Sequence, residues 1–292
     1  MLKAVKPEIV SVEKPKIMIS GGSGVGKTMF ALEFPKPYLI DTEGGATRPQ
    51  YRVKLQKSDG LYFGKEQGSQ DFKTVVDEFK TLATTKHEFK SVILDSFTWL
   101  YLTEAAIAEE TIGSDYGKDK KEANRPSRQL LRWIDAMDMS VILTTHKKDK
   151  YEKVTNKKER EYVGTTFDGY DKLEFILDLW IEIEKLGNNR RFRVKKSRID
   201  AFPEGEVFTL DYKKFSELYG EKIINRSGSP IILASQEQID KIKHLLGIVK
   251  ISNEEVIGWL KKAEAASWEE MDSTTIQKCI NFLEKKLDPV KA

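Results

Sequence analysis

Apolar runs of strand length alternate with longer amphipathic stretches through the first two thirds of the chain. Four of these runs end at a polar residue, and they cover residues 16–20, 38–41, 91–95 and 140–144. Helical spacing marks residues 71–83, 97–112 and 126–137, with Pro126 expected near the first turn of the last helix. This alternation predicts an α/β fold with a mainly parallel central sheet flanked by helices. Because ligands of open α/β sheets collect at the carboxyl ends of the strands, the chemistry is expected there.

The pattern changes after residue 145. Residues 146–169 are polar and are interpreted as a long, mobile loop. Alternating runs at 179–183 and 191–194 flank the turn signal Gly187-Asn188-Asn189, and 208–210 is a further candidate strand. Three amphipathic helices are predicted at 236–248, 253–264 and 274–287. These observations divide the chain into a lead segment 1–15, an α/β core 16–225, a linker 226–234 and a small all-helical C-terminal domain 235–292. Apolar residues at helical spacing in this last domain are expected to form its core, among them Ile257, Trp259 and Trp268.

Composition narrows the class of protein. Lys and Arg number 49 against 46 Asp and Glu, a net charge of +3, so overall charge does not indicate a nucleic-acid partner. The single cysteine, Cys279, excludes an intrachain disulfide and a thiolate zinc cluster. No uninterrupted apolar run approaches the roughly 20 residues that span a bilayer. We therefore expect a cytoplasmic protein with no membrane partner.

A phosphate-binding motif lies between the first predicted strand and a helical stretch. It fits the pattern G-x-x-x-x-G-K-[ST] and comprises Gly21, Gly22, Ser23, Gly24, Val25, Gly26, Lys27 and Thr28. Glycines let successive backbone N–H groups face the phosphates, and the helix N-terminus adds a favourable partial charge. Lys27 is expected to reach the β- and γ-phosphates, and Thr28 to offer its hydroxyl to magnesium. The motif predicts ATP and Mg²⁺ as ligands, although GTP stays open because the motif contacts phosphates and not the base. The alternative is a Gly-rich turn that binds nothing.

Two acidic residues follow neighbouring apolar runs. Asp95 ends the run 91–95, where a Walker B carboxylate holds magnesium through its water shell, although a helix N-cap is the other role for this position. Glu43 lies just past the run 38–41 and is a candidate for orienting water against the γ-phosphate. The alternative for Glu43 is a loop acid that interacts only with solvent.

This placement of Glu43 resembles the RecA-like ATPase core, in which the catalytic glutamate follows the strand after the P-loop helix. Ser96, directly after the Walker B position, is consistent with the resemblance. The resemblance implies a γ-phosphate sensor at the end of the fourth strand, and His146 is the candidate, with an ordinary exposed histidine as the alternative. It also implies basic residues that reach a neighbour's nucleotide. Lys196 and Arg198 match those residues, and the alternative is a solvated basic strand end. Basic residues that reach a neighbour's nucleotide, called fingers, act only when subunits assemble.

The order of motifs over residues 16–215 and the helical tail resemble the phage-encoded RecA-like ATPases of the Sak-type single-strand annealing group. That resemblance implies ATP-dependent work on single-stranded DNA in phage recombination, beside a single-strand-binding protein and in the host cytoplasm. A homo-oligomer is expected. Cellular RecA-class recombinases carry a filament-forming segment before the core, whereas about 15 residues precede the first strand here. Assembly is therefore expected to use residues 5–12, to form a ring, or to depend on DNA.

Two locally basic stretches match the places where a RecA-like core presents its DNA loops, near 113–128 and 147–169. Their basic residues are Lys118, Lys120, Lys121, Arg125, Arg128 and Arg132 in the first, and Lys147, Lys148, Lys150, Lys153, Lys157, Lys158 and Arg160 in the second. Such lysines predict salt-dependent binding without sequence preference, and Tyr151, Tyr162 and Phe167 are candidate stacking platforms. Interspersed acids leave a plain solvated loop as the alternative.

Two other classes of protein remain open. A P-loop phosphotransferase requires an arginine-rich lid and an acceptor pocket, and the sequence identifies neither. A nucleotide-gated protein-binding module in phage DNA replication requires only that ATP order the loops for a partner. DNA-stimulated hydrolysis separates both alternatives from the RecA-like interpretation.

Overall fold

A computed structural model describes residues 13–153, 160–263 and 265–287, without the side chains of Tyr116 and Lys153. The segment 5–12, expected to serve assembly, lies outside the described residues, as do Lys157 and Lys158. Within the described residues, no helix is long and apolar enough to cross a membrane.

Nine strands form the central sheet of the described chain. They are β1 (Lys16–Gly21), β2 (Pro37–Asp41), β3 (Leu61–Phe63), β4 (Ser91–Asp95), β5 (Ser140–Lys153), β6 (Arg160–Phe167), β7 (Leu179–Leu186), β8 (Asn189–Ser197) and β9 (Val207–Thr209). Their order is β3-β2-β4-β5-β1-β7-β8-β9, with β6 paired to β5. The six strands from β3 to β7 in this order run parallel, while β8 and β9 are antiparallel additions. The predicted mainly parallel sheet is confirmed.

The register brings the polar strand ends to one edge of the sheet. Gly21 at the end of β1 pairs with His146 on β5, and Asp41 at the end of β2 pairs with Asp95 at the end of β4. Strand β5 lies between β1 and β4, so it separates the P-loop strand from the strand of Asp95. The polar strand ends therefore share the carboxyl edge of the sheet, and the chemistry expected at that edge stays a prediction.

Eight helices accompany the sheet in the described chain. They are α1 (Lys27–Ala31), α2 (Pro49–Lys57), α3 (Phe72–Thr84), α4 (Phe97–Ile112), α5 (Lys118–Ala136), α6 (Leu173–Ile176), α7 (Tyr212–Tyr219) and α8 (Glu221–Asn225). Aromatic packing fixes α1 beneath the phosphate-binding loop, because Phe30 and Phe34 lie 5.7 and 5.8 Å, between ring centroids, from Phe215 on α7. The predicted helices at 71–83 and 97–112 are confirmed as α3 and α4.

The expectation that Pro126 lies near a helix start is wrong. Helix α5 begins at Lys118, and Pro126 lies inside it. A proline in a helix interior removes one N–H donor and crowds the preceding turn. The buried Ala123 and Ser127 extend the buried face of this helix towards its N-terminus, and the Ser127 hydroxyl donates to the Ala123 carbonyl at 3.0 Å. A helix start cannot be located from proline alone when apolar spacing continues beyond it.

The interpretation of residues 146–169 as a mobile loop is also wrong. Strand β5 continues through Lys153 and pairs antiparallel with β6, from Lys147 with Phe167 to Lys153 with Arg160. Two paired strands satisfy each other's backbone hydrogen bonds whatever the polarity of their side chains. A polar sequence therefore does not exclude a strand pair. Aromatic and β-branched residues such as Tyr162, Val163 and Thr165 were the available signal.

Three further helices follow: α9 (Gln236–Ile248), α10 (Asn253–Lys262) and α11 (Ser273–Leu287), which confirm the predicted helices within one to two residues at each end. Contacts divide the chain into one unit of residues up to Thr81 with His87–Ser229, and a second of Leu82–Lys86 with Pro230–Ala292. The core of the second unit centres on Ile242, Ile276 and Ile280. Ile257, expected in that core, is 61% exposed, because α10 buries none of its residues. The domain boundaries drawn from the sequence stay a prediction.

Candidate active site

The phosphate-binding loop runs from the end of β1 to the start of α1. Gly21 and Gly26 have positive φ angles of 154° and 108°. A Cβ at Gly21 would lie 2.8 Å from the Ile183 carbonyl oxygen, so no side chain fits there. These two glycines allow the chain to turn sharply between a fully buried strand and a helix N-terminus. The first turn of α1 then offers backbone N–H groups that have no partner within the helix, which is an anion-binding arrangement.

The Lys27 side chain lies over this loop. Its Nζ donates to the carbonyl oxygens of Gly21 at 3.1 Å and Gly22 at 3.0 Å. Burial lowers the pKa of Lys27, and the carboxylates of Asp95 and Glu43 oppose that shift. Phosphate oxygens are stronger acceptors for an ammonium than carbonyls, so Lys27 is placed to exchange these carbonyls for a bound polyphosphate.

The predicted metal ligands, Thr28 and Asp95, are in direct contact. Thr28 Oγ1 donates to Asp95 Oδ2 at 2.7 Å, and Thr144 Oγ1 donates to the other carboxylate oxygen. A hydroxyl that donates its proton keeps lone pairs for a cation, and Mg²⁺ prefers oxygen ligands. The donor set therefore fits magnesium. Burial raises the pKa of Asp95, and the hydrogen bonds from the two threonine hydroxyls oppose that shift.

Glu43 and His146 also meet, although 103 residues separate them. His146 Nε2 lies 2.7 Å from Glu43 Oε1, and the Ser96 hydroxyl donates to the same oxygen. Because an ionised carboxylate only accepts hydrogen bonds, this contact requires the proton on Nε2. Thr42 ties the two strand ends together, since its hydroxyl donates to the Ser96 carbonyl at 2.9 Å and accepts from the Ser96 N–H at 2.8 Å.

A single cavity of about 490 Å³ contains these groups. Its volume suits a nucleotide, because small-molecule sites measure roughly 300–1,000 Å³. Its lining comprises Gly21, Gly22, Ser23, Gly24, Gly26, Lys27, Thr28, Glu43, Gly44, Gly45, Arg48, Tyr51, Asp95, His146 and Lys147. The predicted loop residue Val25 is outside this lining, and its carbonyl accepts a hydrogen bond from Arg190 Nε at 2.9 Å.

The family model described as an AAA domain, AAA_24, matches residues 13–202. The chain belongs to this family. Together with the strand order, the match confirms an α/β fold with a mainly parallel sheet and a phosphate-binding loop after its first strand. Among solved structures, the crystal structure of the RadB recombinase overlaps with a TM-score of 0.42 and 18% identity, over 67% of this chain and 86% of that chain. A likeness of that size says nothing about what this chain binds. No curated protein matches the chain.

Two predicted site residues of this AAA domain lie away from its own cavity. Lys196 pairs with Trp180 near the start of β7, at the sheet edge opposite the phosphate-binding loop. Its Nζ donates to the carbonyl of Glu174 at 2.7 Å and to that of Leu177. Arg198 donates to a carbonyl of the same segment and lies 3.9 Å from Asp178. Neither side chain reaches the nucleotide site of its own chain, and a role across a subunit boundary stays a prediction.

Sequence reasoning did not place four residues at or beside the AAA cavity. Thr144 was predicted only as a strand end and Lys147 only as a DNA-binding lysine, and Arg48 and Arg190 were not singled out. Thr144 is fully buried directly after the apolar run 141–143, and a polar residue at that position was the available signal. Lys147 Nζ lies 3.1 Å from Glu182, a buried carboxylate whose second oxygen lies 3.3 Å from Lys195. Nothing in the local sequence marks Arg48 or Arg190, because their proximity to the loop comes from tertiary packing.

Proposed function

We propose that this AAA domain is a magnesium-dependent ATPase. The observation that carries the proposal is the placement of Glu43 and His146, in contact at 2.7 Å, in the same cavity as Lys27 and the Thr28–Asp95 pair. A phosphate-binding loop alone accounts for nucleotide binding. A carboxylate held in that cavity by a serine and a histidine accounts for hydrolysis.

The chemistry follows from the positions of these side chains. Thr28 and Asp95 would hold magnesium, which when bound neutralises charge on the phosphate oxygens. Glu43 orients a water molecule and accepts its proton as the water oxygen bonds to the γ-phosphorus. The bond between the γ-phosphorus and the β,γ-bridging oxygen breaks, and the electron pair leaves with ADP. Lys27 stabilises the charge on the phosphates throughout.

Steady-state ATP hydrolysis in the presence of magnesium tests this proposal. We expect turnover that Lys27→Ala abolishes together with nucleotide binding. Lys36→Ala is the matched control, since Lys36 is paired with Glu88 at 3.0 Å on the surface and is outside the cavity lining. Phosphate transferred to a small acceptor instead of water would contradict the proposal and favour a phosphotransferase.

We further propose that the chain acts on single-stranded DNA in phage recombination or annealing, through the hairpin formed by β5 and β6. The hairpin continues directly from His146, so it is joined to the catalytic edge by one strand. Tyr151 and Tyr162 pair across it with ring centroids 5.8 Å apart, and they are 53% and 58% exposed. Exposed aromatic pairs stack unpaired bases, at about 1–3 kcal/mol per base.

Charge supports the DNA proposal less strongly than these aromatic rings. Lys148 pairs with Asp168 at 2.9 Å and Lys150 with Glu152 at 2.8 Å, so two hairpin lysines are already neutralised locally. The other stretch, near 113–128, is mostly the exposed start of α5, and it presents Lys118, Lys120, Lys121, Arg125 and Arg128. These cations would act as a helical face and not as the expected loop.

Fluorescence anisotropy with labelled single strands at low salt tests the DNA proposal. Tyr151→Ala combined with Tyr162→Ala is expected to weaken binding at least tenfold, whereas Phe175→Ala, which removes an aromatic ring that is 65% exposed on α6, should leave it unchanged. Equal affinities for all three proteins would remove the hairpin from the proposal. Hydrolysis indifferent to DNA would instead favour a nucleotide-gated module that binds a protein in phage DNA replication.

Assembly and a single-strand-binding protein partner are part of the same proposal. Lys196 and Arg198 lie at the sheet edge opposite their own cavity, and this placement is compatible with reaching the nucleotide of a neighbouring subunit. Hydrolysis per chain that rises cooperatively with protein concentration would support fingers acting between subunits. A rate independent of concentration would contradict them.

A further inference from the structure

Arg48 lines the same cavity as Glu43 and the phosphate-binding loop. It follows a short 3-10 turn, Gly45–Thr47, and forms the N-cap of α2, with Pro49 as the first helical residue. It lies five positions after Glu43 along the chain, and both residues line the cavity. The position of this arginine is therefore tied to that of the residue that orients the attacking water.

A buried carboxylate holds the segment that carries both side chains. Asp41, at the end of β2 and 1% exposed, accepts hydrogen bonds from the backbone N–H groups of Gly44 at 2.9 Å, Gly45 at 3.0 Å and Ala46 at 2.6 Å. Three charge-assisted hydrogen bonds to one carboxylate fix the path of a loop strongly. The segment from Glu43 to Arg48 is thus anchored to the central sheet and does not depend on a ligand for its shape.

The guanidinium group of Arg48 is uncommitted. Within the described parts of the chain it makes no hydrogen bond to a side chain and no ion pair, whereas the other cations around the cavity are engaged. Arg190 donates to Val25, Lys147 contacts the buried Glu182, and Arg52, one turn along α2, lies 3.4 Å from the Tyr62 hydroxyl. An arginine without a protein partner, held on an anchored loop at a phosphate site, is available to an anionic ligand.

We propose that Arg48 contacts the γ-phosphoryl group of ATP in its own chain and stabilises the charge that develops during hydrolysis. The inference deepens the proposed ATPase function and rests on it. Five N–H donors in a planar fork match phosphate oxygens, and arginines in this role accelerate phosphoryl transfer by about 10³–10⁵-fold. Arg48 would supply this charge without a neighbouring subunit, so basal hydrolysis would not need Lys196 or Arg198.

Three variants measured side by side test this role: Arg48→Ala, Arg48→Lys and the control Arg52→Ala. For Arg48→Ala we expect kcat to fall at least 100-fold, with the dissociation constant of fluorescently labelled ADP changed less than threefold. Arg48→Lys should recover part of the rate, because the lysine ammonium keeps the positive charge but lacks the planar array of N–H donors of the guanidinium group. Arg52→Ala should keep the wild-type rate, because Arg52 contacts Tyr62 and Glu66 and does not line the cavity.

A binding comparison separates this inference from the ATPase proposal. If Arg48 contacts the γ-phosphate, Arg48→Ala should weaken the binding of the non-hydrolysable analogue AMP-PNP at least tenfold more than the binding of ADP. This expectation holds whether or not the wild-type protein hydrolyses ATP. Equal loss of AMP-PNP and ADP would overturn the inference, because Arg48 would then contact the base, the ribose or the inner phosphates. Unchanged affinity for both nucleotides with an unchanged kcat would overturn it as well.

Discussion

Glu43→Gln is the most direct test of the geometry at the catalytic edge. The substitution preserves the shape of the side chain, and the amide oxygen of glutamine can still accept hydrogen bonds from the Ser96 hydroxyl and from His146 Nε2. What it removes is the basic carboxylate. Groups that accept a proton in the transition state contribute about 10²–10⁴-fold, or roughly 3–5 kcal/mol of barrier. We therefore expect kcat for ATP hydrolysis to fall by that factor.

Binding and stability should respond very differently from turnover. The Glu43 side chain is 35% exposed and its hydrogen bonds survive the change, so the midpoint of thermal unfolding should move by less than about 2 °C. Removing a negative charge beside a polyphosphate leaves the dissociation constant of AMP-PNP equal or lower, within about threefold. Single-turnover hydrolysis, fluorescence titration and thermal unfolding measure these three quantities. Glu33→Gln is the control, since Glu33 pairs with Lys54 outside the cavity lining.

Two results would refute this reasoning. A fall in kcat of less than about threefold with intact binding would mean that Glu43 does not accept the proton. Loss of nucleotide binding in step with loss of hydrolysis would make Glu43 a binding or structural residue, and the contact with His146 would then have no catalytic meaning.

Three further predictions concern buried polar groups. Asp95→Asn should raise the unfolding midpoint in magnesium-free buffer, because burial raises the pKa of this carboxylate and its ionised form destabilises the fold. It should also abolish stabilisation by magnesium-ATP, and a lower midpoint in magnesium-free buffer would contradict the prediction. Thr144→Val removes a hydroxyl that donates to Asp95 and should lower the free energy of unfolding by about 1.5–3 kcal/mol in urea titrations, and an unchanged value would argue against that hydrogen bond. Burial lowers the pKa of Lys16 to about 8 from 10.5. The unfolded chain therefore binds this proton more tightly than the folded chain, so the free energy of unfolding should rise by roughly 3 kcal/mol as the pH increases from about 8 to about 10.5, and this rise should be missing from Lys16→Met.

The phosphate-binding loop could be predicted from the sequence because its residues are contiguous. Lys27 and Thr28 follow the glycines directly, and the neighbouring strand and helix have their own local patterns. Asp95 and Glu43 could be proposed for a related reason, since each ends or follows a buried apolar run whose carboxyl end must lie at one edge of a parallel sheet. Local signals of this kind determine which residues reach the edge.

Contacts across that edge could not be predicted, because they depend on strand order. The contact between Glu43 and His146 requires β4 to lie between β2 and β5, which no spacing in the sequence specifies. The placement of Lys196 at the opposite edge follows from β8 running antiparallel to β7, although its local sequence resembles a basic finger. Arg48 was missed for the same reason, since its presence in the cavity depends on an anchored turn.

The continuous strand β5 gives a quantitative constraint on any link between hydrolysis and DNA. It carries Thr144 and His146 at the carboxyl edge of the sheet and then forms one side of the hairpin with Tyr151, so the cavity and the proposed DNA-binding surface share one element. Coupling between two binding equilibria is reciprocal. If AMP-PNP raises the affinity of the protein for labelled single-stranded DNA by some factor, that DNA must raise the affinity for AMP-PNP by the same factor. Tyr151→Ala should then weaken the binding of single-stranded DNA without changing the affinity for AMP-PNP in the absence of DNA. A nucleotide affinity that falls in DNA-free buffer would mean that the hairpin supports the site itself, and DNA stimulation would need another explanation.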